Sequence, residues 1–166
     1  MSMYARVVNR FSATRVGSFL VKHVASKIDP VIFRWTKGRF TSTGTPTLPM
    51  LALTTTGARS GQPRTVQLAY HQDGEDLLVV ASAMGQEKHP AWRYNLDAHP
   101  EVRVLVRGDE YPAMASVLSP EDKASRWDAI AATIPQMRTY EQRTDREIRV
   151  YRLRRRTGMV DATMSR

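Results

Sequence analysis

The architecture of this chain is set by residues 65–81, which read Thr65-Val66-Gln67-Leu68-Ala69-Tyr70-His71-Gln72-Asp73-Gly74-Glu75-Asp76-Leu77-Leu78-Val79-Val80-Ala81. The first six residues alternate between apolar and polar, which predicts a strand with one buried face. Asp73-Gly74 is typical of a tight hairpin turn, and the fully apolar run that follows it predicts a central strand. Strands joined by a tight turn run antiparallel, so this hairpin excludes a purely parallel sheet.

Further strands and helices are predicted on both sides of this hairpin. Apolar or alternating runs predict strands over residues 50–55, 101–106, 110–118 and 147–153. Helices are predicted over residues 90–98, from the capping box Ser119-Pro120-Glu121-Asp122 to Thr133, and over 135–142. We therefore expect an α+β, mainly β fold, in which helices pack outside an antiparallel, barrel-like sheet.

The N-terminal part has a different pattern. Apolar residues at every fourth position predict a helix over residues 1–28, and Asp29-Pro30 predicts the start of a second, short helix over 31–35. Residues 39–49 are rich in Thr, Ser, Gly and Pro and are expected to form a loop. The predicted organisation is a helical arm and linker over 1–46, a barrel domain over 47–156 and a tail over 157–166.

The composition limits the class of protein. With 166 residues, of which 42% are hydrophobic, the chain is long enough for one domain with its own core. The absence of cysteine excludes disulfides, thiolate catalysis and cysteine-bound metals, and it makes the reducing cytoplasm the expected compartment. The longest apolar stretch near the N-terminus, residues 16–24, is too short and too polar to predict a transmembrane helix.

The chain is basic, with a formal net charge of +9 and a cationic run Arg152-Leu153-Arg154-Arg155-Arg156 near its C-terminus. Such a charge suits nucleic acid, an anionic membrane or an acidic small molecule, or simply a solvated surface. The sequence contains no dinucleotide fingerprint, phosphate-binding GKS or GKT loop, HExxH motif or nucleophile elbow. The 4 histidines lack the spacing of metal ligands, so no metal is expected.

Two loops that follow predicted strands combine glycine, hydroxyl and cationic residues. The first reads Thr54-Thr55-Thr56-Gly57-Ala58-Arg59-Ser60-Gly61-Gln62-Pro63-Arg64. As a polar hairpin turn it needs no ligand. The alternative is that Arg59 and Arg64 converge on phosphate or carboxylate oxygens, helped by the backbone N–H groups of Ser60 and Gly61.

The second loop reads Ala81-Ser82-Ala83-Met84-Gly85-Gln86-Glu87-Lys88-His89-Pro90-Ala91-Trp92 and continues to Asn95. Lys88 and His89 precede the helix that opens at Pro90, so the positive end of that helix is expected to face the same region. Trp92 and Asn95 lie on one helical face. Each alone is typical of a core or solvated residue, but together they offer an apolar wall and an amide to a planar heterocycle. The two loops predict a site for an anionic redox cofactor.

These motifs resemble the deazaflavin-dependent nitroreductase family. The resemblance covers residues 47–150 and includes the first loop, the second loop through Asn95-Leu96, and Tyr140 followed by Thr144-Asp145-Arg146. It implies a split β-barrel like that of FMN-binding pyridoxamine-phosphate oxidases. It also implies an enzyme that uses coenzyme F420, a 5-deazaflavin with a phospholactyl oligoglutamate tail, to deliver a hydride.

The resemblance further implies which residues form the site. Arg59 and Arg64 match the positions that bind the anionic tail. The whole implied cofactor-binding set is Ala58, Arg59, Ser60, Arg64, Thr65, Val80, Ala81, Ser82, Ala83, Ala91, Trp92 and Asn95. Trp92, Met137 and Tyr140 are expected to border the acceptor pocket, and Ser82, Tyr140 or water to supply the proton.

Departures from the family pattern concern the substrate. Ala58 and Ala83 stand where basic residues are common, and Ile134 and Met137 replace two tyrosines of the nitroimidazole-reducing member. We therefore expect the acceptor to be a quinone or an activated C=C bond, as in an enone or lactone, rather than a nitro compound.

Three alternatives stay open at the level of sequence. The same barrel can bind FMN or haem. A basic chain can bind nucleic acid, although no aromatic residues interleave with its basic runs. The cationic, apolar-striped residues 1–28 either rest on an anionic membrane at the inner face of the cell membrane, near a lipid quinone, or pack on the barrel as an ordinary helix.

Overall fold

The computed structural model describes residues 48–156. The helices predicted within residues 1–35, most of the predicted linker and the tail over 157–166 lie outside the described residues. Within the described part the strands are β1 Met50–Thr56, β2 Pro63–Asp73, β3 Asp76–Val80, β4 Glu101–Val106, β5 Asp109–Val117 and β6 Val150–Arg155. The helices are α1 Ala91–Ala98, α2 Pro120–Thr133 and α3 Gln136–Glu141, with a 3₁₀ turn at Ala83–Gly85.

The strands close into a barrel in the order β1-β2-β3-β6-β5-β4, and every neighbouring pair is antiparallel. The predicted hairpin is confirmed, because Asp73 pairs with Asp76 across Gly74, whose φ is +61°. The turn between β4 and β5 places Arg107 and Gly108 at φ values of +50° and +86°, the two consecutive left-handed residues that a tight hairpin requires.

Residues 77–80 of strand β3 are all apolar because both faces of the strand are buried there. Leu77 and Val79 point into the barrel and join its interior cluster. Leu78 and Val80 point outward and pack against residues of α2 and α3. The sequence predicted a central strand here; in a closed barrel no strand is an edge, and the covering helices explain the unbroken apolar run.

Helix α2 begins where the capping box predicts. The Ser119 hydroxyl accepts a hydrogen bond of 3.1 Å from the Asp122 backbone N–H, and Pro120 occupies the first turn. Ile130 and Ile134 bury this helix and its end against the outer face of β3. The helix therefore forms a wall behind the strand that leads into the second loop.

Strands β2 and β6 differ from prediction by more than one residue. Strand β2 is longer at both ends, because Pro63 pairs with Thr56 and Asp73 with Asp76 at polar positions that carry no apolar signal. Strand β6 was predicted over residues 147–153, and that range is wrong by three residues at its start. Its first predicted residues instead lie beside the second loop, where Ala81 N–H donates to the Arg149 carbonyl at 2.9 Å.

The arginines of the cationic run in β6 form ion pairs with acidic residues. Arg152 and Arg154 pair with Asp76 at 3.3 and 3.1 Å, and the next two arginines pair with Asp109 and Glu101, each at 2.7 Å. These side chains therefore hold the barrel together across strands rather than forming a free cationic patch. Over residues 48–156, no helix is long and apolar enough to span a membrane.

Candidate active site

A cavity of about 1060 Å³ opens between the β1–β2 loop, the start of β2 and helix α1. Its lining brings together eight of the predicted cofactor-binding residues, namely Ala58, Arg59, Ser60, Arg64, Thr65, Ala91, Trp92 and Asn95. Thr55, Gly57, Val66 and Tyr94 complete the lining and were not predicted as site residues. The first loop therefore meets the start of helix α1 at one cleft, whereas residues 81–89 of the second loop are not part of its lining.

The β1–β2 loop is a compact turn built around glycine. Gly57 N–H donates to the Gln62 carbonyl at 2.9 Å, and Gly61 N–H donates to the Gly57 carbonyl at 2.8 Å. A Cβ on Gly57 would lie 2.6 Å from the Ser60 hydroxyl and 3.1 Å from the Gln62 carbonyl oxygen, so a side chain there would require the Ser60 side chain to shift. The prediction that Gly61 N–H helps to bind an anion is wrong, because the turn itself uses that donor.

Asn95 of helix α1 forms side-chain hydrogen bonds that link this helix to the β1–β2 loop and to the end of β1. Its side-chain oxygen accepts from Ala58 N–H at 3.0 Å, and its side-chain nitrogen donates to the Thr55 hydroxyl at 2.9 Å. The residue is only 9% exposed, and both ends of its amide are bonded to protein. The sequence predicted an amide offered to a heterocycle; the structure instead gives Asn95 the task of positioning the loop.

Arg59 and Arg64 differ from most arginines of this protein. Among residues 48–156, neither guanidinium has an ion pair or a hydrogen bond, whereas ten other arginines there bond to acids or carbonyls. Within the same residues the backbone N–H groups of Arg59 and Ser60 also have no partner. This side of the cavity therefore presents unpaired cations and free donors, which suits an anion.

Helix α1 supplies the opposite side of the cavity. Ala91, its first residue, lies on the lining, so the positive end of the helix faces the cleft as predicted. Trp92 is 7% exposed and packs edge-on against Tyr151, with ring centroids 5.8 Å apart. The Tyr151 hydroxyl donates to Asp97 at 2.6 Å, and burial, the largest cause, raises the pKa of Tyr151. These contacts hold the indole in place.

A second cavity of about 430 Å³ adjoins the first, and Trp92 lines both. It contains all three predicted acceptor-pocket residues, Trp92, Met137 and Tyr140, together with Val80, Ser82 and Ala83 of the predicted cofactor set. The predicted cofactor-binding set is thus divided between two adjoining cavities. Ala81 lies on neither, because its side chain is fully buried in the barrel interior.

Arg146 organises the second loop and was not predicted as a site residue. Its guanidinium donates to the backbone carbonyls of Ala81 (3.1 Å), Ser82 and Gln86 (2.7 Å). It also donates to His89 Nδ1 at 3.2 Å, since arginine has no acceptor, so this imidazole is neutral. The only signal in the sequence was the place of Arg146 in the motif shared with the resembled family.

The electrostatics around His89 support the neutral imidazole. Burial is the main cause that lowers the pKa of His89 below its ordinary value, and the nearby charges of Arg93, Arg146 and Arg149 lower it further. Burial likewise lowers the pKa of Arg146, although a guanidinium stays protonated under such a shift. The loop is therefore held by one half-buried cation that faces carbonyl oxygens and a neutral ring.

Comparison with known proteins gives a consistent result. Over residues 27–154 the chain matches the family described as F420H(2)-dependent quinone reductase. It is 35% identical over 147 residues to an F420H(2)-dependent quinone reductase of Mycobacterium tuberculosis, which covers 85% of this chain and 99% of that protein.

Solved structures share the fold. An F420-H2 dependent reductase, FDR-A, superposes with a TM-score of 0.59 at 34% identity, covering 63% of this chain and 93% of that one. A structure described as a domain-swapped dimer superposes with a TM-score of 0.61 at 30% identity, covering 75% and 94%. The split β-barrel expected from the sequence is confirmed.

Proposed function

This chain belongs to the F420H(2)-dependent quinone reductase family, and from that premise we propose that its larger cavity holds coenzyme F420 and its smaller cavity holds the quinone. The protein is an F420-dependent oxidoreductase that passes a hydride from the reduced deazaflavin to a quinone. The assignment of individual residues to these tasks is our proposal.

The observation that carries this proposal is the pair of unpaired guanidiniums in the larger cavity. The F420 tail bears a phosphate and carboxylates, and Arg59 and Arg64 have no acid of their own within residues 48–156. The volume, about 1060 Å³, is at the upper end of ligand pockets and suits a ring system with a tail. These residues fit the coenzyme, with Trp92 as the apolar wall beside the deazaflavin ring.

The smaller cavity suits a neutral, apolar acceptor. Its described lining is mostly apolar and carries no charged side chain; its polar members are Gln67, Ser82, Gln136 and Tyr140. A charged acceptor would lose hydration there without an opposite charge to replace it. A quinone has an apolar ring and two carbonyl oxygens, which suits an apolar cavity that contains a few hydroxyl and amide groups.

When bound, reduced F420 supplies a hydride to the quinone, and one proton completes the reduction to the quinol. The protein's part is to align donor and acceptor across the wall that the two cavities share. Trp92, which lines both cavities, and Met137, which lines the smaller one, would border the two reactants. Ser82 and Tyr140 are the hydroxyl-bearing residues of the acceptor cavity, so either of them, or water, delivers the proton.

The test is to follow oxidation of F420H2 with a panel of quinones, enones and nitro compounds. We expect turnover with quinones. Met137→Arg places a charge in the smaller cavity and is expected to raise the quinone KM at least about tenfold, with F420 affinity nearly unchanged. Met114→Arg is the matched control, because Met114 is exposed on β5 and lines neither cavity.

Two results would oppose this assignment. One is turnover of nitro compounds or enones with no quinone reduction under the same conditions. The other is an absorption spectrum of the purified protein that shows bound FMN or haem with no affinity for F420.

We also propose, from the sequence, that residues 1–28 place the enzyme at an anionic membrane surface, close to a lipid quinone. The segment is cationic and carries an apolar stripe. Flotation with anionic liposomes at moderate salt tests this, with a variant lacking residues 1–28 as the comparison. Equal flotation of both proteins would reject the proposal.

A further inference from the structure

We propose that Arg146 is a positioning residue that restrains the first part of the second loop, residues 81–89, and thereby fixes the shape of the acceptor cavity. This inference rests on the proposed function of that cavity. Arg146 itself lines neither cavity, so its effect passes through the loop backbone.

The loop has a backbone that its own sequence does not favour. Ala83, Met84 and Gly85 follow one another at φ values of +46°, +57° and +75°. In the left-handed region a Cβ crowds the following carbonyl, so alanine and methionine adopt it only where the surroundings impose it. A loop of this composition therefore needs an external restraint to stay in this shape.

Arg146 supplies that restraint by joining the two ends of the loop. Its guanidinium bonds to the carbonyls of Ala81 and Ser82 where the chain leaves β3, and to Gln86 and His89 where the chain approaches α1. A planar, rigid fork with several donors can hold such a fixed set of acceptors, and a lysine ammonium cannot. The left-handed residues lie between these two anchored ends.

Close packing restrains the middle of the loop from the other side. Gly85 is buried, and a Cβ there would lie 2.8 Å from the Arg143 Cβ and 3.0 Å from the Tyr140 carbonyl oxygen. The loop is therefore clamped between the Arg146 guanidinium and the end of helix α3. Tyr140, which also lines the acceptor cavity, takes part in that contact.

Loss of the Arg146 hydrogen bonds is expected to affect the smaller cavity and not the larger one. Ser82, Ala83 and Met84 line the smaller cavity, and no residue of 81–89 is among the described lining of the larger one. Release of the loop is expected to disturb the acceptor and the orientation of Ser82. The tail-binding arginines are held separately, through Asn95.

The test compares Arg146→Gln and Arg146→Lys with the wild type by hydrogen–deuterium exchange of the coenzyme-free protein and by steady-state kinetics. We expect faster amide exchange confined to residues 81–89 and a quinone KM raised at least about tenfold. The F420 dissociation constant should change less than about threefold. The lysine variant should show the same changes as the glutamine variant, because it keeps the positive charge but loses the planar set of N–H donors. Arg138→Gln, which removes an exposed pair with Asp128, is the control and should match the wild type.

Unchanged loop exchange in both Arg146 variants would overturn the inference, and so would equal losses of quinone and F420 binding. If neither variant folds, Gly85→Ala perturbs the same loop independently and must raise the quinone KM selectively. Failure of the wild type to bind F420 would instead count against the proposed function, since the exchange experiment needs no coenzyme.

Discussion

Among single residues, Asn95 makes the most consequential contacts of the larger cavity. It joins helix α1 to the β1–β2 loop through Ala58 and Thr55, and it is nearly buried. Asn95→Ala should lower the free energy of unfolding by about 1–3 kcal/mol, because it leaves the Ala58 N–H without an acceptor and removes the donor to the Thr55 hydroxyl, which keeps its bond to the Arg64 carbonyl. It should also weaken F420 binding by loosening the loop that carries Arg59.

The measurement is urea unfolding together with F420 titration. Gln72→Ala is the matched control, since that exposed amide bonds only to the carbonyls of its own turn. Its expected change is within about 0.5 kcal/mol. Equal changes in the two variants would show that the Asn95 amide does not position the loop.

His89 gives the site a pH dependence of known sign. Its pKa is lowered in the folded protein, mainly by burial and then by Arg93, Arg146 and Arg149, with an opposing effect of Glu147. The unfolded chain therefore binds more protons as pH falls through the ordinary value of 6.5. The stabilising contribution is complete above that value and is lost progressively below it.

We expect His89→Asn to flatten this dependence, because an amide oxygen can accept from Arg146 and does not titrate. Unfolding free energies measured between neutral pH and about pH 5 should fall more steeply for the wild type than for the variant. His99→Asn, at an exposed histidine outside both cavities, is the control. Parallel pH profiles for wild type and His89→Asn would contradict the prediction.

Contacts between residues close in the chain could be predicted from the sequence, and contacts between distant residues could not. Arg59 lies in the β1–β2 turn and Arg64 is the second residue of β2, so their convergence follows from local chain geometry. The bonds of Arg146 to Gln86 and Ala81 join residues 60 and 65 positions apart, and those of Asn95 span 37 and 40. No local pattern specifies such pairs, and this is why both positioning roles were missed.

At the scale of elements, helix α2 begins at an identifiable cap. Ser119→Ala should cost about 1 kcal/mol, since it removes the hydroxyl that accepts from Asp122 N–H. For a chain of this length that corresponds to a fall in Tm of roughly 2–4 °C, measurable by calorimetry. Ser125→Ala, in the exposed middle of the same helix, should be close to neutral. A loss of the same size in Ser125→Ala would contradict the capping role.

The elements themselves were largely predictable. Hairpins are specified by adjacent turn residues such as Asp73-Gly74, and the capping box is a local signal. The start of β6 was not predictable, because apolar Ile148 is buried against the outer helices rather than paired in the sheet. Its end was missed for the related reason that arginines continue the strand, where cross-strand acids match their charges.

At the scale of the whole molecule, Asp73 links β2, α2 and β6 through ion pairs. At the end of β2 it accepts from Arg126 of α2 at 2.7 Å and lies 3.6 Å from Arg152 of β6. The hydrogen bond from Arg126 is the largest cause that lowers the pKa of Asp73. The carboxylate therefore fixes the outer helix to the closed barrel.

Asp73→Asn is expected to lower the free energy of unfolding by about 1 kcal/mol at neutral pH, less than a fully buried pair because both side chains are partly solvated. Asp128→Asn is the control, since Asp128 is 90% exposed in its pair with Arg138. Its effect should stay below about 0.5 kcal/mol. Urea unfolding of both variants checks the difference, and indistinguishable midpoints would contradict it.

The described part of the molecule thus contains a cleft where a helix N-terminus and a buried tryptophan meet two cations that have no partner within residues 48–156, beside the smaller apolar cavity. Fluorescence titration with oxidised F420 tests this most directly, comparing wild type, the Arg59→Gln and Arg64→Gln double variant, and Arg107→Gln. Arg107 is an exposed arginine on the β4–β5 turn, outside both cavities. We predict an affinity loss of about a hundredfold in the double variant, close to tenfold for each charge-assisted contact, and none in Arg107→Gln. Equal affinities in all three proteins would contradict the account.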